Sequence, residues 1–165
     1  MGTLILFLAI CLLPIFVQEF RSNARLMLSY WFVIALRQGA AFINTFFFTV
    51  PGAESDALRF HSRGELLAES GDFVLATGVK GFENFLAAAY MLFGSSKFLG
   101  SQLSILMFAI SCVVLIKILR LLELSRYKVS VILVFGALPS MIFFGSVTLR
   151  ESYQVLFFML ATYFG

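Results

Sequence analysis

The sequence predicts an all-α protein: a single membrane domain (residues 1–165) built as a bundle of about four or five transmembrane helices. Hydrophobic residues make up 61% of the chain and charged residues 13%, against about 25% charged residues in soluble domains. The hydrophobic residues form runs whose lengths suit a bilayer, and polar residues collect between them. The net charge of +3 comes from scattered basic residues, several beside the runs. This pattern predicts a lipid bilayer as partner and argues against nucleic acid.

The first two predicted spans are residues 3–18 and 26–50. The first is apolar for only about 15 residues, fewer than the roughly 20 that a spanning helix needs. No Lys or Arg precedes it, which argues against a secretory signal peptide. The second span contains Arg37 near its middle. Because a charge near the centre of a bilayer is costly unless it is paired or hydrated, we expect Arg37 to face the bundle interior, toward Gln38 or Asn44.

Residues 51–100 form a polar segment that we expect to carry interfacial helices outside the membrane. Its most polar stretch begins at Gly52, and Ser55 or Asp56 can cap a helix that ends near Ser70, before Gly71. The apolar residues of this helix share one arc of a helical wheel, which is typical of a helix that lies in the membrane interface. The members of this apolar arc are Ala57, Phe60, Gly64, Leu67 and Ala68. A second apolar stretch, residues 82–93, is too short to span.

The remaining spans are predicted within residues 101–165, at about 101–122, 129–149 and from 153 onward. The last is still apolar at Gly165, and we therefore expect the chain to be the front part of a longer protein. Basic residues favour the cytoplasmic side of a membrane, which places residues 51–100 and the Arg150–Glu151 pair outside. The basic residues between the first two and between the next two spans are Arg21, Arg25, Lys117, Arg120, Arg126 and Lys128.

Five short motifs follow one another along residues 26–165. They are Ser-Asp-Ala-Leu-Arg-Phe-His at 55–61, Ala-Tyr-Met-Leu-Phe-Gly-Ser-Ser at 89–96, Lys-Ile-Leu-Arg at 117–120, Ala-Leu-Pro-Ser at 137–140 and Leu-Arg-Glu-Ser at 149–152. Their order and spacing resemble the amino-terminal part of the GT-C integral-membrane glycosyltransferases. That group contains the protein O-mannosyltransferases and the bacterial lipid A aminoarabinose transferases.

The resemblance implies transfer of a sugar from a polyprenyl-phosphate donor to an acceptor at the outer face of a bacterial inner (plasma) membrane. It implies that Asp56 is the general base, which takes the acceptor proton, and that Glu151 is a second catalytic carboxylate. Cationic side chains would bind the donor phosphate as it gathers charge; the candidates are Arg59, Arg63, Arg150 and His61. No cofactor is expected, and no Cys or His residues stand at metal-ligand spacing. A divalent-metal requirement, the sugar and the acceptor are left open.

Each candidate residue also has a structural interpretation. Asp56 can serve only as a helix cap, Arg59 and Arg63 can extend to lipid headgroups, and His61 can pack at an interface. The Arg150–Glu151 pair can mark the point where a helix leaves the membrane. For the whole chain, the alternative to a transferase is a non-catalytic membrane subunit or scaffold of a larger complex with the same fold. A reading frame that continues past Gly165 into further spans would favour the transferase.

Overall fold

The computed structural model describes residues 1–47, 54–73 and 76–165. Within these ranges it contains nine α-helices, one short 3-10 helix at Ser125–Tyr127 and no strand, which confirms the all-α prediction. The helices are α1 (Gly2–Phe16), α2 (Gln18–Arg21), α3 (Ala24–Phe46), α4 (Glu54–Ser70), α5 (Gly78–Phe93), α6 (Lys97–Leu121), α7 (Lys128–Ala137), α8 (Pro139–Phe144) and α9 (Glu151–Phe164). The end of the predicted span 26–50 and the start of the polar segment, including Gly52, lie outside the described residues.

Helix α6 is the central helix of the bundle. It is buried along 61% of its most apolar stretch, against 39% for α3. One core cluster joins α6 to α1, α3 and α7 around Tyr30, Phe108 and Cys112. A second cluster joins it to α4, α5 and α9 around Phe60 and Tyr153. Apolar contact on nearly all sides explains why α6 carries few charges between its two ends.

Two of the described helices, α3 and α6, are long and apolar enough to cross a membrane. A bundle of four or five spans is therefore not confirmed. Helix α1 is apolar but has 15 residues, a length of about 22 Å at 1.5 Å per residue. Helix α9 has 14 residues and begins at Glu151, two residues before the predicted start.

The predicted span at 129–149 is wrong as a single helix. Helix α7 ends at Ala137, α8 covers only Pro139–Phe144, and residues 145–150 are not helical. Leu138 has an extended backbone (ψ 125°) and Pro139 occupies the first turn of α8. A proline disfavours helical geometry in the residue before it and has no N–H to donate, so it tolerates the start of a helix far better than its interior.

The predicted helix at 55–70 is confirmed as α4, and the stretch at 82–93 lies in α5. The predicted cap at Ser55 or Asp56 is wrong, because α4 begins at Glu54 and both residues lie inside it. Gly71 follows α4 with a φ of 72°, the left-handed geometry that glycine commonly adopts where helices end. The apolar arc of α4 packs on α5: Phe60 is 2% exposed, and a Cβ at Gly64 would lie 3.0 Å from Leu86. The two helices therefore cover each other with their apolar faces.

The two ends of the bundle differ in composition. At one end, Arg120 Nη1 lies 3.4 Å from Glu19 Oε1, and this contact brings the end of α6 to α2. The basic residues near the end of α6 and those near α2 therefore lie at the same end of the bundle. At the other end, the start of α4, the start of α6, the end of α3 and the turn before α9 share one small cleft. That cleft is lined by residues that include Thr45, Ala57, Lys97 and Thr148.

Candidate functional site

Arg37 is buried in the interior of the bundle, as the sequence predicts. Its side chain is 1% exposed, and neither Nε nor the two Nη atoms have a hydrogen-bond partner. The expected neighbours Gln38 and Asn44 therefore do not bind it. An unpaired cation in such a position costs several kcal/mol, which makes this arginine the most unusual residue of the described chain.

Gln38 has a different partner, on α6. Its Nε2 donates to Gln102 Oε1 at 2.9 Å, and Gln102 Nε2 donates back to Gln38 Oε1 at 2.7 Å. Both amide groups are satisfied by this exchange, and it links α3 to α6 beside Arg37. Gln38, an expected partner of Arg37, is thus already hydrogen-bonded to another residue.

Two neighbours fix the guanidinium of Arg37. Its Cζ lies 3.4 Å from the centroid of the Phe108 ring, a cation–π contact. On another side it lies directly against Gly145, where an added Cβ would overlap Nη1 of Arg37. Glycine at this position leaves the space that the guanidinium fills.

Arg37 lines a cavity of about 350 Å³ between α3, α6, α7, α8 and α9. This volume lies within the range of about 300–1,000 Å³ that is usual for small-molecule sites. Most of the lining is apolar, from side chains such as Phe108, Phe135 and Val155. The polar residues of the lining are Arg37, Ser111, Ser140, Glu151 and Ser152.

Glu151 lines the same cavity but does not neutralise the arginine. Among the described residues, no carboxylate oxygen lies within 4.0 Å of the Arg37 guanidinium. Glu151 is exposed, at the first position of α9, where the helix dipole favours a negative charge. The cavity therefore combines a buried cation with a carboxylate that solvent reaches.

Asp56 is not among the residues that line this cavity. Its Oδ1 lies 3.3 Å from Nη2 of Arg59, one turn further along α4, and both side chains are 57% exposed. The guanidinium of Arg59 also lies 5.2 Å from the Phe60 ring. Asp56 and Arg59 thus form an accessible ion pair at the start of α4.

His61 and Arg63 lie apart from this pair. Nδ1 of His61 is 2.8 Å from the Tyr90 hydroxyl, and burial lowers the pKa of the ring below its usual value, so that the neutral form is favoured at pH 7. Arg63 instead borders a cavity of about 220 Å³ with Asp72 and Lys80. The two residues do not share an identified cavity with Glu151.

Arg150 lies in a third place. It lines an apolar cavity of about 620 Å³ together with Phe82, Phe85 and Tyr153, whose buried hydroxyl has no hydrogen-bond partner. Arg150 and Glu151 are adjacent in sequence but line different cavities. The six candidate residues are thus distributed over several surfaces.

The sequence analysis did not identify the cavity at Arg37. The available signals were an arginine in mid-span and Pro139 within an apolar run, and only the first was interpreted as interior. Within residues 1–47, 54–73 and 76–165, no group of three or more His, Cys, Asp or Glu side chains is placed to hold a metal ion. Both cysteines, Cys11 and Cys112, are free thiols.

Comparison of the chain with family models, with curated protein sequences and with solved structures finds no match.

Proposed function

We propose that this chain is an integral-membrane protein in which α3 and α6 cross the bilayer. Both helices have the required length and apolar character. Large apolar side chains are exposed on α1, α3 and α9, where lipid would cover them. They include Leu8, Leu12, Phe32, Phe42, Phe157 and Phe158.

In this proposal the end of the bundle that carries Arg120 and Glu19 faces the cytoplasm, because six of the twelve basic residues lie in or beside its loops. The opposite end, with α4 and α5, lies outside the bacterial inner membrane. Gly145, the first residue of the non-helical turn at 145–150, lines the Arg37 cavity, and so does Ser140 of α8, the helix that follows the break at Leu138. Irregular backbone at membrane depth is tolerated where it lines such a cavity.

We further propose that the chain carries the acceptor-activating part of a glycosyltransferase that uses a polyprenyl-phosphate sugar donor. The observation that carries this proposal is the exposed Asp56–Arg59 pair, whose atoms are 3.3 Å apart at the outer end of α4. A carboxylate can accept a proton from an acceptor hydroxyl. The guanidinium beside it can neutralise a phosphate.

The proposed reaction is a displacement at the anomeric carbon of the donor sugar. Asp56 takes the proton of the acceptor hydroxyl as its oxygen bonds to that carbon, and the bond from the carbon to the phosphate oxygen breaks. The phosphate leaves with the electron pair, and Arg59 is placed to stabilise its charge. Arg63, Arg150 and His61 remain proposed donor contacts, and Glu151 a proposed second carboxylate.

Asp56→Asn tests this proposal in the protein expressed from its complete reading frame. The amide has nearly the same shape as the carboxylate but cannot accept the proton, so the rate should fall by about 10²- to 10⁴-fold. The measurement is consumption of polyprenyl-phosphate mannose and polyprenyl-phosphate glucose in membrane vesicles. Asp72→Asn, which changes another exposed aspartate in the same way, is the matched control.

Normal donor consumption by the Asp56→Asn protein would remove Asp56 from catalysis and leave it as the ion-pair partner of Arg59. Failure of the unmodified protein to consume either donor would favour the alternative, a non-catalytic subunit of a membrane complex. Arg59→Ala should weaken use of the donor without the complete loss expected for the base.

A further inference from the structure

We propose that the cavity at Arg37 is a binding site for a phosphate-type oxyanion. This site is separate from the Asp56–Arg59 pair and does not depend on the transferase proposal. Its ligand is either free phosphate or the phosphate headgroup of an anionic lipid, which present the same oxygen chemistry to the protein.

The first argument is the unmet bonding capacity of Arg37. A guanidinium has five N–H donors in a planar fork that matches the oxygens of a phosphate, and all three nitrogens of Arg37 lack partners. The side chain of Arg37 is 1% exposed. The neighbouring amide of Gln38 does not bond to it, because it is bonded to Gln102. A bound oxyanion supplies the missing acceptors and the missing negative charge.

The second argument is the position of α9. Glu151 and Ser152, its first two residues, line the cavity. The first N–H groups of a helix have no partner within the helix, and their end of the helix dipole is positive. This is the usual arrangement for holding phosphate. The N-terminus of a 14-residue helix and a buried guanidinium thus border the same space.

The third argument is that the packing preserves the position of the guanidinium. Gly145 leaves room for Nη1 of Arg37, and the Phe108 ring covers its face. Contact with the ring covers the face of the guanidinium, whereas the N–H donors in its plane have no partner. The surrounding apolar side chains would strengthen an ionic contact, because they exclude water.

The remaining lining residues define the kind of ligand. Ser140 and Ser152 offer hydroxyl groups, whereas Phe135 and Val155 offer apolar contacts. The carboxylate of Glu151 repels an anion, so it should weaken binding by its charge. A protonated oxygen or a sugar-like hydroxyl beside the phosphate would be suited to Glu151.

The test uses the complete protein purified in uncharged detergent, with its unfolding temperature measured during two titrations. One arm adds inorganic phosphate at constant ionic strength, with chloride as control. The other adds phosphatidic acid, with phosphatidylcholine as control. We expect the unfolding temperature to rise saturably in at least one arm. A rise in the phosphate arm would identify a free-phosphate site, and a rise in the lipid arm alone would identify a headgroup site.

The key variant is Arg37→Gln, which should weaken binding roughly tenfold to hundredfold, the range for charge-assisted hydrogen bonds. Arg126→Gln removes the same charge from an exposed loop and should bind as the unmodified protein does. Glu151→Gln should bind the anion more tightly. If Arg37→Gln does not fold, Ser140→Phe provides a second test, because it places a large side chain at an exposed edge of the cavity and should block it.

Saturable binding that is the same in Arg37→Gln and in the unmodified protein would overturn the proposal. So would the absence of any saturable shift in both arms, or unchanged binding in Ser140→Phe where Arg37→Gln fails to fold. Tighter binding in Glu151→Gln together with normal binding in Arg126→Gln would place the anion in this cavity.

Discussion

Arg37 and Arg59 are chemically identical side chains in opposite situations. Arg59 is 57% exposed and has a carboxylate, Asp56, at 3.3 Å. Arg37 is 1% exposed and has no hydrogen-bond partner at any of its three nitrogens. The side chain that can reach water is the one with an ionic partner, whereas the buried one has only the Phe108 ring.

The two arginines therefore differ in what they contribute to the free energy of folding. An exposed ion pair contributes little, typically about 0.2–1 kcal/mol, so Arg59 is almost free to change as far as folding is concerned. A buried cation without a partner destabilises the fold. The presence of such a cation at position 37 is therefore better explained by a ligand than by packing. The contrast with Arg59 leads to three predictions.

The largest effect is expected for Arg37→Met in protein free of added anions. Methionine is flexible and apolar and can fill much of the same space, and replacing a buried charge by an apolar side chain often stabilises by about 1–4 kcal/mol. We expect a higher free energy of unfolding in detergent, with Arg126→Met unchanged within about 0.5 kcal/mol. A loss of stability would mean that Arg37 has a structural role that the contrast with Arg59 does not explain.

A somewhat smaller effect is expected for Gly145→Ala. The added methyl group would overlap Nη1 of Arg37 and lie 2.5 Å from the Met141 carbonyl oxygen, and overpacking of this kind costs about 1–3 kcal/mol. Gly39→Ala is the matched control, because a Cβ there meets no atom within 4 Å. In an exposed part of α3 it should be neutral or stabilise by up to about 1 kcal/mol. Equal unfolding free energies for the two variants would show that Arg37 is not confined by Gly145.

The smallest effect is expected for the ion pair at the start of α4. A double-mutant cycle with Asp56→Asn and Arg59→Gln should give a coupling energy of about 0.2–1 kcal/mol that falls as salt is added. Chemical denaturation of the four proteins would measure it. A coupling well above this range, independent of salt, would mean that the pair is shielded from solvent and that its contrast with Arg37 is weaker than described.

Local features of the fold were predictable from sequence. Helix α4 was predicted to within a residue, because its apolar arc and Gly71 act over short distances, although the predicted cap at Ser55 or Asp56 lies inside the helix. The burial of Arg37 was also predicted, since the cost of a charge in an apolar span depends on position alone. The break at Leu138 was missed, although Pro139 signals it, because hydropathy does not distinguish one helix from two short ones.

Contacts between distant segments could not be predicted. Gln38 pairs with Gln102, 64 residues away, and Arg37 packs on Phe108; no local pattern specifies such partners. The separation of Arg150 from Glu151 into two cavities likewise depends on how α9 packs against its neighbours. The sequence therefore identified unusual residues but not the space between them.

The most direct test of the account is a nitrogen-15 NMR spectrum of the arginine side chains, recorded on the complete protein in detergent with and without phosphate or phosphatidic acid. The signal of Arg37, assigned by its absence in Arg37→Met, should be displaced by the ring current of Phe108 and should move saturably as the anion is added. The signal of Arg59 should change little. An Arg37 signal that stays in place through both titrations, or that moves no more than that of Arg59, would contradict the claim that this buried arginine is kept for an anion.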